Sequence, residues 1–180
     1  MKVRIATHDF YWQVERLMER LYTDLDYGIF SGSEADIDLI VFSGGADISP
    51  SLYGEKNYAS YVNPHRDSVE QDVYKFAGGN IPVFGICRGH QLLNALAGGK
   101  LTQNIRRPHG SRHYLDNGLV VNSYHHQGVI ETPLEIVASY DGVAEITQGM
   151  NIFSVQFHPE FEVDHEMDWM VLKGLTKLCP

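Results

Sequence analysis

The sequence predicts an α/β fold of three layers, in which helices flank a mostly parallel central sheet. The first observation is a nearly continuous apolar run over residues 37–42, typical of a strand that is buried on both faces of a parallel sheet. The second is that strand-like and helix-like segments alternate through the first half of the chain. The third is a group of short strand-like segments before a final amphipathic helix. Sheets of this kind bind ligands at the carboxyl ends of their strands, where Gly44 and Gly45 follow the apolar run.

The amino-terminal segment predicts a strand and a helix, followed by a second short strand. Residues 2–7 form the first predicted strand, and Asp9 is the predicted N-cap of the helix. The apolar residues of that helix recur at helical spacing, which predicts a stripe that faces the sheet. They are Phe10, Val14, Leu17, Met18, Leu21 and Leu25. The second strand is predicted over residues 27–30.

A long loop and a second helix follow the apolar run. Residues 46–63 show little periodicity, and an unstructured loop of this length is commonly functional. Residues 65–77 then predict a helix that ends at a glycine pair. Its predicted inner face consists of Val69, Val73 and Phe76.

The second half of the chain predicts short strands and a closing helix. A polar segment at residues 106–117 is predicted to be a surface loop. Strands are predicted at residues 101–105, 119–122, 134–138, 144–147 and 152–157. From Asp164 onward the apolar residues recur at helical spacing, which predicts the last helix. No repeat and no linker divides the sequence, so we expect one domain over residues 1–180.

The composition indicates a globular protein that binds a small molecule or another protein. Of the 180 residues, 43% are hydrophobic and 21% are charged, and the formal net charge is −9. This negative charge argues against nucleic acid as a direct ligand, because phosphates attract basic surfaces. No apolar run reaches membrane-spanning length, and no signal-peptide pattern precedes the first strand. We therefore expect no membrane association and a cytoplasmic location, where the two cysteines, Cys87 and Cys179, would stay reduced.

The most informative segment is a turn between a predicted strand at residues 81–86 and a predicted helix at residues 89–96. Residues 85–89 read Gly-Ile-Cys-Arg-Gly, the spacing of a strand-to-helix elbow with a nucleophile at its centre. Glycine on both sides permits a sharp, strained bend. The positive end of the following helix favours the thiolate form of Cys87, as would Arg88 if its side chain turned toward the sulfur. The alternative is a free cysteine that serves as a small core side chain.

A histidine and a glutamate at the end of the last predicted strand are candidate partners for Cys87. A cysteine nucleophile needs a base, and the base needs a group that orients it. His158 ends an alternating strand, and Glu160 lies two residues on, on the same side of an extended chain. Pro159 between them biases His158 toward extended backbone. The alternative is a surface histidine beside a glutamate, which the presence of the elbow disfavours.

Five segments of the chain resemble the class I (triad) glutamine amidotransferase superfamily. Two of them are the elbow, extended to Gln91, and the strand end just described. The other three are similar to the γ-glutamyl hydrolase branch, the peptidase C26-like proteins that include γ-glutamyl-γ-aminobutyrate hydrolases. They lie at residues 44–55, 66–70 and 121–127. The resemblance implies a flavodoxin-like fold and hydrolysis of a γ-glutamyl amide through a γ-glutamyl thioester on cysteine.

The resemblance also implies roles for individual residues. Cys87 would be the nucleophile, His158 the general base and acid, and Glu160 the residue that orients His158. The backbone N–H groups of Gly45 and Arg88 would form an oxyanion hole. The residues implied to bind the glutamyl group are Gly44, Gln91, Tyr124 and His125.

Some of these polar residues have a structural alternative. Gln91 could equally be a helix residue that packs the elbow. Arg66, Asp67 and Glu70 are predicted to brace the sheet and loops and not to contact substrate.

We expect no cofactor and no metal, and a small γ-glutamyl compound as substrate. The adjacent pair His125 and His126 invites a metal assignment, as does the pair His109 and His113 at four-residue spacing. No cysteine or carboxylate cluster completes a zinc pattern around either pair.

Three hypotheses about function remain open at the level of the sequence. The first is a free-standing hydrolase of glutamine or of γ-glutamyl amines. The second is a glutaminase subunit that delivers ammonia to a separate synthetase partner. The third is an inactive regulator or binding module on the same fold, which the presence of all three triad residues disfavours. Homo-oligomerisation is compatible with each of them.

Overall fold

The computed structural model describes residues 1–105 and 110–179. The α-helices in these residues are α1 Tyr11–Leu21, α2 Pro64–Ala77, α3 Arg88–Leu96 and α4 His165–Leu178. The strands are β1 Lys2–Ile5, β2 Asp26–Ile29, β3 Leu39–Phe42, β4 Val83–Ile86, β5 Lys100–Thr102, β6 Ser111–Tyr114, β7 Val120–Ser123, β8 Gly128–Glu131, β9 Glu135–Tyr140, β10 Val143–Gly149 and β11 Ile152–Val155. A short 3-10 helix, Pro50–Tyr53, lies within the long loop before α2.

The central sheet confirms the predicted fold class. Five strands run parallel in the flavodoxin-like order β2, β1, β3, β4 and β11. Beyond β11, the strands β10, β8 and β5 extend the sheet in antiparallel pairing, and β9 also pairs with β10. Strands β6 and β7 form a separate two-stranded sheet. Because β4 and β11 are parallel neighbours, their carboxyl ends lie side by side.

Helices cover both faces of this sheet, and every residue of β3 and β4 is buried. Val14, Leu17 and Met18 of α1 share one hydrophobic cluster with buried residues of α4. Val73 of α2 and Leu92 of α3 belong to a second cluster on the other face. The layers are therefore helix, sheet and helix, as the sequence predicted. None of the helices in the described parts of the chain is long and apolar enough to cross a membrane.

The prediction that Asp9 caps α1 was wrong. Phe10 occupies the N-cap position in a left-handed conformation, with φ 56°, and none of the described side chains caps the helix. The Asp9 carboxylate instead accepts a hydrogen bond from Arg66 Nη1 at 2.6 Å. Its backbone carbonyl accepts from Ser43 Oγ at 2.7 Å. Asp9 therefore connects the start of α1 to the segment that follows β3.

Helix α2 buries charged residues, in contrast to the predicted inner face of Val69, Val73 and Phe76. Val73 is buried, but Val69 and Phe76 are 37% and 42% exposed. The charged residues buried on this helix are Arg66, Asp67 and Glu70. Since Asp67 and Glu70 pair with Arg88 of α3, and Arg66 pairs with Glu70, ion pairs replace the apolar contacts that the periodicity predicted.

Two short strands were not predicted from the sequence. Ser111–Tyr114, within the segment predicted to be a surface loop, forms β6 and pairs with β7. Residues 106–109 of that segment lie outside the described residues. Gly128–Glu131 forms β8 between β10 and β5. Each strand has four residues, which is too short for an alternation pattern to stand out.

At Gly174, helix α4 packs directly on the ring of Phe153 in β11. A Cβ at position 174 would overlap several carbons of that ring. Since overpacking a core costs about 1–3 kcal/mol, we expect Gly174→Ala to lower the free energy of unfolding by that amount, despite the higher helix propensity of alanine. Urea unfolding measures the change, with Lys173→Ala at the exposed neighbouring position as the control. Equal or greater stability of Gly174→Ala would contradict the close packing.

Candidate active site

Cys87 lies at the junction of β4 and α3, as the elbow motif predicts. Its backbone has φ 49° and ψ −99°, a conformation that is rare for a residue with a side chain. The Cys87 N–H donates to Val155 O at 2.8 Å, and the Cys87 carbonyl accepts from Gln91 N at 3.0 Å. The residue is only 6% exposed. These bonds fix the sulfur at the carboxyl edge of the sheet, beside the end of β11.

Gly85 and Gly89 permit the elbow because neither position has room for a side chain. A Cβ on Gly85 would lie 2.7 Å from the carbonyl carbon of Gly89. A Cβ on Gly89 would overlap the Phe42 carbonyl oxygen. The first turn of α3 therefore packs directly on the backbone of β3 and β4. Its free N–H groups and the positive end of its dipole lie at Cys87.

His158 and Glu160 follow β11 and form a buried pair. His158 Nδ1 and Glu160 Oε1 are 2.7 Å apart, and both side chains are almost completely buried. Strands β11 and β4 pair with Val155 beside Ile86, so the segment after β11 continues next to the elbow. Since Glu160 engages Nδ1, Nε2 is the ring nitrogen left for the Cys87 sulfur. The structure thus brings the three predicted triad residues together.

The charges around His158 favour its protonated form. Burial alone would lower the pKa of the imidazole, but the neighbouring Cys87 sulfur and Glu160 carboxylate outweigh burial and raise the pKa from its ordinary value of 6.5 to about 10. The ring is therefore cationic at neutral pH. A thiolate and an imidazolium in this arrangement stabilise each other.

Three aromatic side chains surround the His158 ring. Phe161 stacks on it, with ring centroids 4.2 Å apart and an interplanar angle of 9°. Phe10 and Tyr124 approach the imidazole edge-on at centroid distances of 6.0 Å and 5.8 Å. An aromatic face favours a cation, so this packing also supports the charged ring. Phe10 and Phe161 were not predicted to lie at the site, and the one sequence signal for Phe161 is its position directly after the His-Pro-Glu tripeptide.

Asn122 holds the backbone of His158 at both of its polar groups. The His158 N–H donates to Asn122 Oδ1 at 2.8 Å, and Asn122 Nδ2 donates to the His158 carbonyl at 2.9 Å. The same Nδ2 donates to Glu162 Oε1 at 2.8 Å. Asn122 lies in one of the resembling segments, but no role was predicted for it. Its contacts show that the position of the histidine is set by β7 as well as by β11.

Gly44 and Gly45 lie at the carboxyl end of β3, on the opposite side of the elbow strand from β11. A Cβ on Gly44 would lie 2.6 Å from His158 Cε1, so a larger residue would displace the imidazole. Gly45 has φ 146°, and a Cβ there would overlap the Arg66 guanidinium. Arg88 is the first residue of α3, so its backbone N–H has no intrahelical acceptor. The two predicted oxyanion donors, Gly45 and Arg88, thus come from segments on adjacent strand ends.

A set of buried charged side chains lies behind the elbow, and we call it the ion cluster. Its members are Arg66, Asp67, Glu70 and Arg88, all at most 4% exposed. Arg88 donates to Asp67 Oδ1 at 2.6 Å and to Glu70 Oε2. Arg66 donates to Glu70 Oε1 at 2.8 Å and to the Ser43 carbonyl at 3.1 Å. These contacts agree with the predicted bracing role of the residues from α2.

The predicted glutamyl-binding residues fall into two groups. Tyr124 is 37% exposed and contacts His158, so it is at the site together with Gly44. Gln91 is buried and donates to Gln127 O at 3.4 Å and to Gln156 Oε1 at 3.2 Å. His125 is also buried, and its Nδ1 lies 2.7 Å from Gln127 O. Gln91 and His125 therefore meet at one backbone carbonyl, and their described contacts are with protein groups.

The other histidines singled out by the sequence are dispersed. His126 Nε2 lies 2.8 Å from Asp47 Oδ2, at the base of the long loop. His113 is buried, with Nε2 3.5 Å from Glu145 Oε1. His109 lies outside the described residues. Within residues 1–105 and 110–179, no group of three or more His, Cys, Asp or Glu side chains is placed to hold a metal ion.

Comparisons of the sequence converge on one family. The family model described as Peptidase C26 matches residues 29–118 and 110–160. A candidate glutamine amidotransferase of Schizosaccharomyces pombe is 35% identical over 164 residues, which cover 73% of this chain and 65% of that protein. The glutamine amidotransferase-like protein YvdE of Lactococcus lactis is 32% identical over 72% of this chain and 69% of its own length. The chain thus spans about two thirds of the length of these relatives.

More distant matches include components of larger assemblies. The carbamoyl phosphate synthase small chain of Buchnera aphidicola is 34% identical over 45% of this chain and 24% of its own length. Among solved structures, a candidate GMP synthase component from Thermoplasma acidophilum superposes with a TM-score of 0.72. That match covers 99% of this chain and 94% of the other at 18% identity, so it establishes the likeness of the fold alone.

The raised pKa of His158 makes the stability of the site depend on pH. A group whose pKa is higher in the folded protein stabilises the fold fully below its unfolded value of 6.5, and loses this contribution as the pH rises through about 10. Glu160→Gln removes a charge that raises this pKa. We therefore expect the variant to lose more free energy of unfolding, relative to wild type, at about pH 6 than at about pH 10.

Urea unfolding of wild type and Glu160→Gln at the two pH values checks this expectation. Glu19→Gln, at an exposed position of α1, is the matched control and should show no such trend. A loss in Glu160→Gln that is the same at both pH values would contradict the attribution to His158.

Proposed function

Because the chain belongs to the peptidase C26 family, we propose that it hydrolyses a γ-glutamyl amide, glutamine or a γ-glutamyl amine, with Cys87 as nucleophile. The observation that carries the proposal is the buried pair of His158 and Glu160 beside a strained cysteine elbow. A cationic imidazole oriented by a carboxylate is what a thiolate nucleophile and a poor leaving group both require.

The first half of the reaction forms a thioester. The Cys87 thiolate attacks the γ-carbonyl carbon, a C–S bond forms, and the carbonyl π electrons move to oxygen. His158 then donates its Nε2 proton to the amide nitrogen, the C–N bond breaks, and ammonia or an amine leaves. Glu160 holds the ring by Nδ1, so that Nε2 stays directed at the reacting groups.

Backbone N–H groups stabilise the negative oxygen of the tetrahedral intermediate. The donors are those of Gly45, in the loop after β3, and of Arg88, which directly follows Cys87 at the start of α3. Donors of this kind are each worth about 3–4 kcal/mol in related acyl-transfer sites. The amino end of α3 adds its positive dipole to the same region.

The second half regenerates the enzyme. Neutral His158 takes a proton from water while the water oxygen attacks the thioester carbon. The new tetrahedral intermediate collapses, the C–S bond breaks, and glutamate leaves. The thiolate and the imidazolium are then restored, and the whole cycle uses only side chains, backbone and water.

A glutaminase subunit that supplies ammonia to a synthetase partner is the second candidate. The observation that favours it is the similarity to the carbamoyl phosphate synthase small chain, whose name denotes part of a larger enzyme. The same triad chemistry serves both candidates, and they differ in whether the isolated chain turns over substrate. A cytoplasmic, reducing environment would suit either, because the thiol must stay free.

We expect Cys87→Ala to lower the turnover of glutamine and γ-glutamyl amines at least about 10³-fold, because the nucleophile of a triad has no substitute. Release of ammonia or amine and of glutamate by the isolated protein measures this. Cys179→Ala is the matched control, and it should retain activity within about twofold since Cys179 lies outside the site.

The outcomes separate the candidates. Turnover by the isolated wild-type chain supports the free-standing hydrolase. Turnover only in the presence of a synthetase supports the glutaminase subunit. Substantial activity in Cys87→Ala would refute the mechanism in both forms.

A further inference from the structure

The ion cluster links the two segments that carry the proposed oxyanion donors. Glu70 bridges them, with Oε1 accepting from Arg66 Nε at 2.8 Å and Oε2 accepting from Arg88 Nη1. Glu70 itself is fully buried. Removing one partner from a buried set of charges leaves the others uncompensated, so each side chain depends on the bridge.

On one side, Arg66 determines where the glycine loop after β3 lies. Its Nη2 donates to the Ser43 carbonyl at 3.1 Å. Its guanidinium also fills the space that a side chain on Gly45 would occupy. A shift of Arg66 would therefore move the backbone from Ser43 to Gly45, including the Gly45 N–H.

On the other side, Arg88 supplies the second donor from its own backbone. Both terminal nitrogens of its guanidinium are engaged: Nη1 donates to Glu70, and Nη2 donates to Asp67 Oδ1 at 2.6 Å. Since Arg88 is the first residue of α3, these two ion pairs restrain the rotation of the first helical turn. That turn carries the Arg88 N–H beside Cys87.

We propose that Glu70 is a positioning residue that sets the separation of the Gly45 and Arg88 N–H groups. The inference rests on the proposed function, because it concerns the oxyanion hole of that reaction. Glu70 acts through the two arginines and not on the substrate. An oxyanion donor must lie within about 2.7–3.1 Å of the oxygen, so a small displacement of either segment removes a hydrogen bond.

Two reactions of Cys87 distinguish this role from a general structural one. Iodoacetamide alkylates the sulfur, forming a C–S bond as iodide leaves, and no oxyanion develops. p-Nitrophenyl acetate acylates the sulfur through a tetrahedral oxyanion that expels p-nitrophenolate. Both reactions need the thiolate, but only the second needs the oxyanion hole. Neither depends on a γ-glutamyl substrate.

In Glu70→Gln we expect the acylation rate of Cys87 to fall by about 10- to 100-fold, less than the full loss of one oxyanion donor because the donor is displaced and not removed, while alkylation stays within about twofold. Glutamine keeps the shape of the side chain, but its amide nitrogen cannot accept from an arginine.

The matched control is Glu34→Gln, which removes a carboxylate from the buried Arg4 and should change neither rate. Arg66→Lys is the second variant, because lysine cannot bridge Glu70, Asp9 and Ser43 together, and it should show the same selective loss.

Unchanged acylation in Glu70→Gln overturns the proposal, and so does an equal loss of acylation and alkylation, which would indicate damage to the whole site. If Glu70→Gln does not fold, Arg66→Lys decides by the same two rates. A wild-type protein that is alkylated but never acylated also overturns it. If the wild-type protein hydrolyses no γ-glutamyl amide, the proposed function is refuted. If Glu70→Gln then still loses acylation selectively, the positioning role is supported.

Discussion

The parallel pairing of β4 with β11 is the constraint on which the candidate site depends. Val155 lies beside Ile86 in this ladder, and the Cys87 N–H continues it by donating to Val155 O. Strand β3 flanks β4 on its other side and ends in the glycine loop. The strand order β3, β4, β11 therefore places the cysteine between the two glycines and the histidine. The pairing of these strands is enough to bring distant parts of the chain together, without any side-chain contact.

The site is locally unfavourable, and the surrounding packing holds it. The positive φ of Cys87 costs about 1–3 kcal/mol, which persists only where neighbouring structure determines the backbone. Here the close backbone contacts at Gly85 and Gly89 hold the turn in its observed conformation. The ion cluster adds a second constraint, since desolvated charges require each partner in place. Stability of the fold and geometry of the site are thus supplied by the same interactions.

The sheet and the elbow could be predicted from the sequence because both depend on short-range patterns. An apolar run predicts a buried strand. The glycines around Cys87 predict a bend that does not depend on the tertiary contacts of the following segment. The inner face of α2 could not be predicted in this way, because Asp67 and Glu70 are buried by pairing with Arg88, a partner on another helix. Asp9 was misassigned for the same reason, since its carboxylate accepts a hydrogen bond from Arg66 and does not cap the adjacent helix. The packing of Phe10 on His158 likewise joins segments that follow β1 and β11, two strands separated by β3 and β4 in the sheet, so no local pattern encodes it.

The central claim is that Cys87 carries the acyl group, and intact-protein mass spectrometry tests it most directly. Wild-type protein mixed with glutamine and quenched in acid should carry one γ-glutamyl group, assigned by peptide mapping to Cys87 and released by hydroxylamine. Turnover of glutamine with no acyl group on Cys87, or with the group on another residue, would contradict the account.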